Sequence, residues 1–231
     1  MTQRSIFAGN NQTIMIKVAG SISVKGHESD LVMAETKDKG GLTLERRNAS
    51  EVGRARWAIG DHVLFDIRAK LPDLKEEQNT SHQVIEVQMS GSGEVLVPFE
   101  SNLKVYAGKD IDVQAIEGQV DAYSGLNLSL QNVSRLGLVS AGGAMDIHCQ
   151  SMIGQDVTFS AGSDLRFHVD DLTSARLRVR DIGGYWEARI GGGEKLVYLK
   201  SGGDVTLVTD QQVVPLTPTS VLGKIERPTT R

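Results

Sequence analysis

Six glycines in the second half of the 231-residue chain each open the same short pattern. They are Gly108, Gly125, Gly142, Gly162, Gly183 and Gly202, spaced 17, 17, 20, 21 and 19 residues apart. Three residues on stand Ile111, Leu128, Met145, Leu165, Trp186 and Val205, and five residues on stand Val113, Leu130, Ile147, Phe167, Ala188 and Leu207. Side chains two apart share one face of a strand. The residue between them is polar (Asp112, Ser129, Asp146, Arg166, Glu187 or Thr206), so each strand buries a single face. A further apolar pair precedes several of the glycines, at Leu103–Val105, Val157–Phe159 and Val197–Leu199. Another station lies beyond, at Ile116, Val133, Ile153 and Leu172, and three stations per repeat suit a triangular coil. Glycine suits the turn ahead of each strand because it tolerates positive φ.

A unit this small cannot bury its own inward face, whereas stacked units share a continuous core. The expected fold is all-β, a single-stranded parallel β-helix (β-solenoid) with about 17–21 residues per coil. At about 4.8 Å per coil, the regular run is about 24 Å from first to last layer. A helical repeat fits poorly with 25 glycines and a period of two. A β-sandwich is the competing all-β architecture.

The predicted organisation is one β-solenoid domain over residues 13–210, with irregular coils in 13–100 and regular coils in 101–210. A cap strand and flexible tail occupy 211–231. In the irregular part Ile14, Ile16 and Val18 alternate, as do Ile22 and Val24, the stretch Val63 to Ile67, and Val84 to Met89 except for Ile85. Asn48 to Ile59 reads as a short helix with Asn48 as its cap, and Leu71 to His82 as a surface loop. Pro215 and Pro218 would blunt the C-terminal edge of the stack. The strand Ile14–Val18, with only Lys17 as a charge, would leave the N-terminal edge open to a second copy.

Composition narrows the function classes. Aromatics at 5% and a hydrophobic fraction of 39% suit a thin core of Val, Leu and Ile. A net charge of −4 lacks the basic footprint of a nucleic-acid binder. Cys149, the one cysteine, cannot form an internal disulfide and reads as a buried thiol. The opening residues hold no apolar core of signal-peptide length, and no run has the 18 apolar residues of a membrane span. The expectation is a cytoplasmic protein without membrane insertion.

The run IKVAGSISVKGHESDLVMAE resembles the opening of bacterial adhesin-like β-strand-repeat proteins. EVLVPFESNLKVYAGKDIDVQAIEGQVDAYSGLNLSL is similar to their next section, and SGGDVTLVTD is the closest single match. The resemblance spans about residues 13 to 210 and implies a right-handed parallel β-helix. A looser likeness ties the chain to bactofilins, from which it departs in its polar insertions and variable coil length. Neither family supplies a catalytic motif.

Stacked register makes one constellation worth weighing for chemistry. His148 and His168 fall at the same outward position of neighbouring coils, with Asp146 beside the first. Two histidines and a carboxylate could hold a divalent metal, against the simpler reading of a solvent-facing ladder continuing Gln114 and Gln131. Asp146, Arg166 and Glu187 would form a parallel ladder of alternating charge. Gly191-Gly192-Gly193 lacks the Lys-Ser/Thr of a P-loop, and Gly91-Ser92-Gly93 lacks the nucleophile-elbow pattern. Asp170-Asp171 stands in a coil too short to build a cleft. The expectation is a non-catalytic scaffold without a cofactor, partnered by a second copy of itself or by another protein. The alternative is a carbohydrate-active or metal-dependent enzyme working on a lateral face.

Overall fold

The computed structural model describes residues 1–9, 12–37, 41–48, 57–59, 62–65, 83–151, 157–171, 175–181, 184–190, 196–201, 203, 205–209 and 212–216. The first strands are β1 (Thr2–Phe7), β2 (Thr13–Val18), β3 (Ile22–His27), β4 (Leu31–Thr36) and β5 (Leu42–Asn48). A separate hairpin of β6 (Trp57–Ile59) and β7 (His62–Phe65) comes next. Then come β8 (Gln83–Met89), β9 (Gly93–Pro98), β10 (Asn102–Ala107), β11 (Ile111–Ser124) and β12 (Leu128–Ala141). After them stand β13 (Met145–Ser151), β14 (Val157–Ala161), β15 (Leu165–Asp171), β16 (Ala175–Asp181) and β17 (Gly184–Ile190). The last are β18 (Leu196–Ser201), β19 (Val205–Thr209) and β20 (Gln212–Leu216). Apart from the hairpin, the strands join in one 18-stranded, mostly parallel sheet. No helix among the described residues is long and apolar enough to cross a membrane.

Two parallel ladders organise the sheet. The first runs β9, β3, β11, β12, β13, β15, β19. Its register aligns Ile22, Ile111, Leu128, Met145, Leu165 and Val205, each at most 3% exposed. Val24, Val113, Leu130, Ile147 and Phe167 form the neighbouring column, all fully buried. The second ladder runs β8, β2, β10, β11, β12, β14, β18, β16. It contributes Ile14, Ile16, Leu103, Val105 and Phe159 to the same core. β11 and β12 pass from one ladder into the other through a register shift between Ile116 and Gln119. The third apolar station runs Ile116, Val133, Cys149, Val169 in register. Cys149 is fully buried there, in the place expected for Ile153, which lies outside the described residues.

Chain order and ladder order differ at both ends. β2 and β3 precede β8 and β9 in sequence, yet lie between them and the β10–β11 level. At the other end, β18 lies between β14 and the earlier β16. Antiparallel strands finish every ladder end. β4 joins β9 and β1 joins β4, β5 joins β8, β20 joins β19, and β17 joins β16.

Several sequence expectations change accordingly. Trp186 and Ala188 stand outside the inward columns, because β15 pairs directly with β19 and β17 pairs antiparallel with β16. Their partners are Val179 and Leu177, and Glu187 faces Arg178 instead of extending the charge ladder. Ile14–Val18 is an interior strand held between β8 and β10, so it offers no open edge. Asn48 ends β5 and Trp57–Ile59 is a strand, which replaces the predicted helix at both of its ends. Residues 71–82 and Pro218 lie outside the described residues.

Among the described residues, the repeat glycines Gly108, Gly125, Gly142 and Gly162 serve a purpose other than positive φ. A Cβ on Gly125 would lie 2.2 Å from the carbonyl oxygen of Gly108, and one on Gly142 would lie 2.3 Å from that of Gly125. Gly162 approaches Gly142 in the same way, and Gly108 approaches Ala19. The N–H groups of Gly125 and Gly142 meanwhile donate across the stack to Ala107 and Ser124, both at 3.0 Å. Glycine is required here because neighbouring backbone fills the space of a side chain. The left-handed region is occupied instead by Ala115 (φ 57°) and Asn132 (φ 56°), equivalent residues where β11 and β12 turn the corner.

Candidate functional site

A concavity lies along the leading ends of the first-ladder strands. It is an open groove of about 840 Å³ that crosses the stack from Ser92 and Gly93 to Thr206. Its floor is the top of the buried column, including Ile111, Leu128 and Met145. Two outward columns form its polar lining. One tracks the strand register through Ser23, Asp112, Ser129, Asp146, Arg166 and Thr206. The other lies in the turns, at Ser21, Asp110, Asn127, Ala144 and Asp164.

The turn column is a hydrogen-bonded ladder. The Ser21 hydroxyl donates to Asp110 Oδ2 at 3.1 Å. Asp110 Oδ1 accepts from the backbone N–H of Asn127 at 3.2 Å and from its side-chain amide at 3.1 Å. Asn127 Oδ1 in turn accepts from the Ala144 N–H at 3.0 Å. Each carboxylate or amide thus binds a turn amide one layer further on. The backbone N–H of Asn127, opposed by partial desolvation and helped by Ser21, the Asn127 amide and Lys109, holds the Asp110 carboxyl below the usual carboxylate range. Asp110 is therefore anionic at neutral pH. At the start of the ladder, Ser92 Oγ accepts from the Ser21 N–H at 3.0 Å, so Gly91-Ser92-Gly93 is a structural turn.

This column escaped the sequence reading, although a signal was present. Asp110, Asn127 and Asp164 all lie two residues after a repeat glycine. The spacing that marked the apolar stations also marks a recurrent Asx position, whose side chain can reach a turn amide.

The histidine pair forms as the register predicts. His148 and His168 are cross-strand partners, with ring centroids 4.2 Å apart and planes 7° from parallel. A metal is held in the plane of each imidazole, about 2 Å from nitrogen. Face-to-face rings direct their lone pairs along separate parallel planes, so as arranged the two do not converge on one ion. Asp146 stands opposite Arg166, on the groove. Among the described residues, no group of three His, Cys, Asp or Glu side chains comes together. Asp171 pairs with Ser151 in the strand register, and Gly191-Gly192-Gly193 lies outside the described residues.

The opposite ladder carries a buried charge cluster that no sequence pattern announced. Lys17 Nζ lies 2.6 Å from Glu86 Oε1, with the two side chains 2% and 1% exposed. Arg47 Nε lies 3.1 Å from Glu86 Oε2. Burial raises the Glu86 pKa, but hydrogen bonds from Lys17 and Gln88 and the charges of Lys17 and Arg47 outweigh it and hold the carboxyl below its usual range. Lys17 is thus a paired interior cation and not the edge charge expected from sequence. Beside it in register stand Tyr106 and Tyr123, stacked at 5.2 Å.

No protein-family model matches the sequence, and no curated protein matches it. Among solved structures, a proposed cell adhesion protein from Clostridium sporogenes is similar at 9% identity, with a TM-score of 0.42. The likeness covers 90% of this chain and 99% of that one. A likeness of that size carries no conclusion about activity.

Proposed function

We propose that the chain is a non-catalytic structural module of adhesin-like type: a right-handed, single-stranded parallel β-helix that presents its lateral faces and associates with a second copy or another protein. The observation that carries this reading is the pairing of two in-register parallel ladders on one shared core with antiparallel strands across all their ends. Ladders that return in register at 17-residue intervals, as from Ile111 to Leu128 to Met145, fit a coil winding around that core. Right-handed winding obeys the rule for parallel crossovers. Antiparallel finishing strands disfavour endless end-to-end growth and leave the long sides as the presenting surface.

Self-association is assigned to β1, in place of the interior strand Ile14–Val18. The Ala8 N–H donates to the Asp30 carbonyl at 2.7 Å, one residue beyond the β1–β4 register. By strand alternation, Ile6, Arg4 and Thr2 also face β4, while Phe7, Ser5 and Gln3 face away. The Phe7 carbonyl is taken by Arg46, so Ser5 and Gln3 supply the outward backbone groups, beside a Phe7 side chain that is 59% exposed. Such an edge pairs readily with another strand.

Light scattering on the full chain tests the reading. Discrete oligomers are expected, and Ser5→Pro should shift them toward monomer while leaving the melting temperature nearly unchanged, because that N–H faces away from β4. A full chain that is monomeric at high concentration, or oligomers indifferent to this substitution, would refute the β1 assignment.

A further inference from the structure

We propose that two copies of the chain join as a closed dimer, each β1 pairing antiparallel with the other about a two-fold axis at Ser5. The geometry rests on the self-association assigned to β1 and adds the register and the limit of assembly.

Three observations carry it. The first is the edge itself. Among the described residues, β4 is the one strand paired with β1, and the outward backbone groups belong to Gln3, Ser5 and Phe7. β1 holds no proline or lysine, and its pairing with β4 has no bulge, so the common devices that blunt an edge are missing from it. The second is an apolar strip beside this edge. Phe7 stands opposite Leu31, Ser5 opposite Met33, and Met33 opposite Leu96. By alternation all of them lie on the face away from the core against which Ile6 packs, and Leu31 is 37% exposed beside the still more exposed Phe7. The third is Arg4, the one charged side chain of β1, which shares the face of Ile6.

These features select one register. Outward backbone groups must meet outward groups, so Gln3, Ser5 and Phe7 pair among themselves. An axis at Arg4 would set Arg4 directly against Arg4 of the second copy in a close, non-hydrogen-bonded pair, where like charges are destabilising. An axis at Ile6 would direct the Ser5 N–H to a Phe7 carbonyl that Arg46 already holds. With the axis at Ser5, the two Ser5 residues exchange both backbone bonds, and the Phe7 N–H reaches the Gln3 carbonyl of the second copy. Arg4 then lies across from Ile6, and Phe7 across from the Gln3 side chain. The row Leu96, Met33, Ser5 runs on through the axis into the same row of the second copy, so the two apolar strips flank one shared sheet. Both copies use the same edge, so assembly stops at two, with the stacks joined at their N-terminal ends.

Nitroxide labels on single cysteines test the geometry in the full chain: Gln3→Cys, Ser5→Cys and Phe7→Cys, with Cys149 buried and out of the label's reach. Light scattering should show a dimer for the unsubstituted chain and for each variant. With the axis at Ser5, the labelled backbone positions are about 5.5 Å apart for residue 5 and about 15 Å apart for residues 3 and 7. Dipolar broadening of the nitroxide spectrum should be strongest at residue 5, weaker and equal at residues 3 and 7, and lost on mixing with excess unlabelled chain. Broadening equal at two neighbouring positions, or at all three, would overturn the axis at Ser5 while leaving β1 as the contact. Assemblies larger than a dimer would overturn the closure. An unsubstituted chain that stays monomeric at high concentration, or dimers without broadening at any position, would remove the β1 assignment and this geometry with it.

Discussion

At the scale of single residues, two backbone constraints dominate. Gly125 sits where the Gly108 carbonyl already fills the position of a Cβ, at 2.2 Å. Gly125→Ala therefore forces neighbouring layers apart and should cost about 2 kcal/mol, read as a lowered denaturation midpoint at unchanged slope. Ala115 presents the opposite case. It holds φ at 57°, where an L side chain is strained by about 1–2 kcal/mol, while its counterpart Asn132 tolerates that region better. Ala115→Gly should stabilise the protein by about 0.5–1 kcal/mol after the entropy lost by glycine, and a drop in melting temperature would contradict this account.

At the scale of elements, the join between β2 and β8 depends on a charge pair enclosed by the fold. Lys17 and Glu86 are 69 residues apart in sequence and 2.6 Å apart in space. Removing one partner strands the other charge without compensation, so Glu86→Leu should cost about 3–5 kcal/mol. Lys17→Met with Glu86→Leu should recover most of the loss, because neither site then carries a buried charge. A double-mutant cycle in denaturant measures the coupling, and strictly additive losses would show that the pair contributes nothing. The same element shows why the alternation in Val84–Met89 breaks at Ile85: Val84, Ile85 and Glu86 are all buried, so both faces of β8 are covered.

For the whole molecule, the pH dependence of unfolding has a definite sign. Burial, helped by Asp121, pushes the Tyr123 hydroxyl up from 10.0 to about 12, and burial raises Tyr106 further in the same direction. Above pH 10 the unfolded chain releases these protons while the folded chain keeps them. This contribution to stability is complete below that pH and is lost as pH rises toward 12. The melting temperature should fall over that interval, and Tyr123→Phe should flatten the slope. Phenolate absorbance at pH 10 in the still-folded protein that is lost in the Tyr106→Phe, Tyr123→Phe double variant would contradict the burial.

The sequence by itself determined the repeat strands and the inward columns from Ile111 to Leu165 and from Val113 to Phe167, but not the place of Trp186 and Ala188 or the strands at Asn48 and Trp57–Ile59. Alternation about a glycine is a local property, and one face of each strand must leave water. It also placed His148 against His168, because equal spacing from the repeat glycines means equal position along paired strands. Only the tertiary structure decided which strands are neighbours. Gly183 to Ala188 carries the same local pattern as the true layers, yet β17 folds back on β16, since backbone hydrogen bonding accepts either direction and either partner. The insertion of β2 between β8 and β10, the Lys17–Glu86 pair that results, and the groove across seven strands arise from that choice. Each depends on which distant segment covers an otherwise open edge, a competition among long-range pairings that no local window of residues contains.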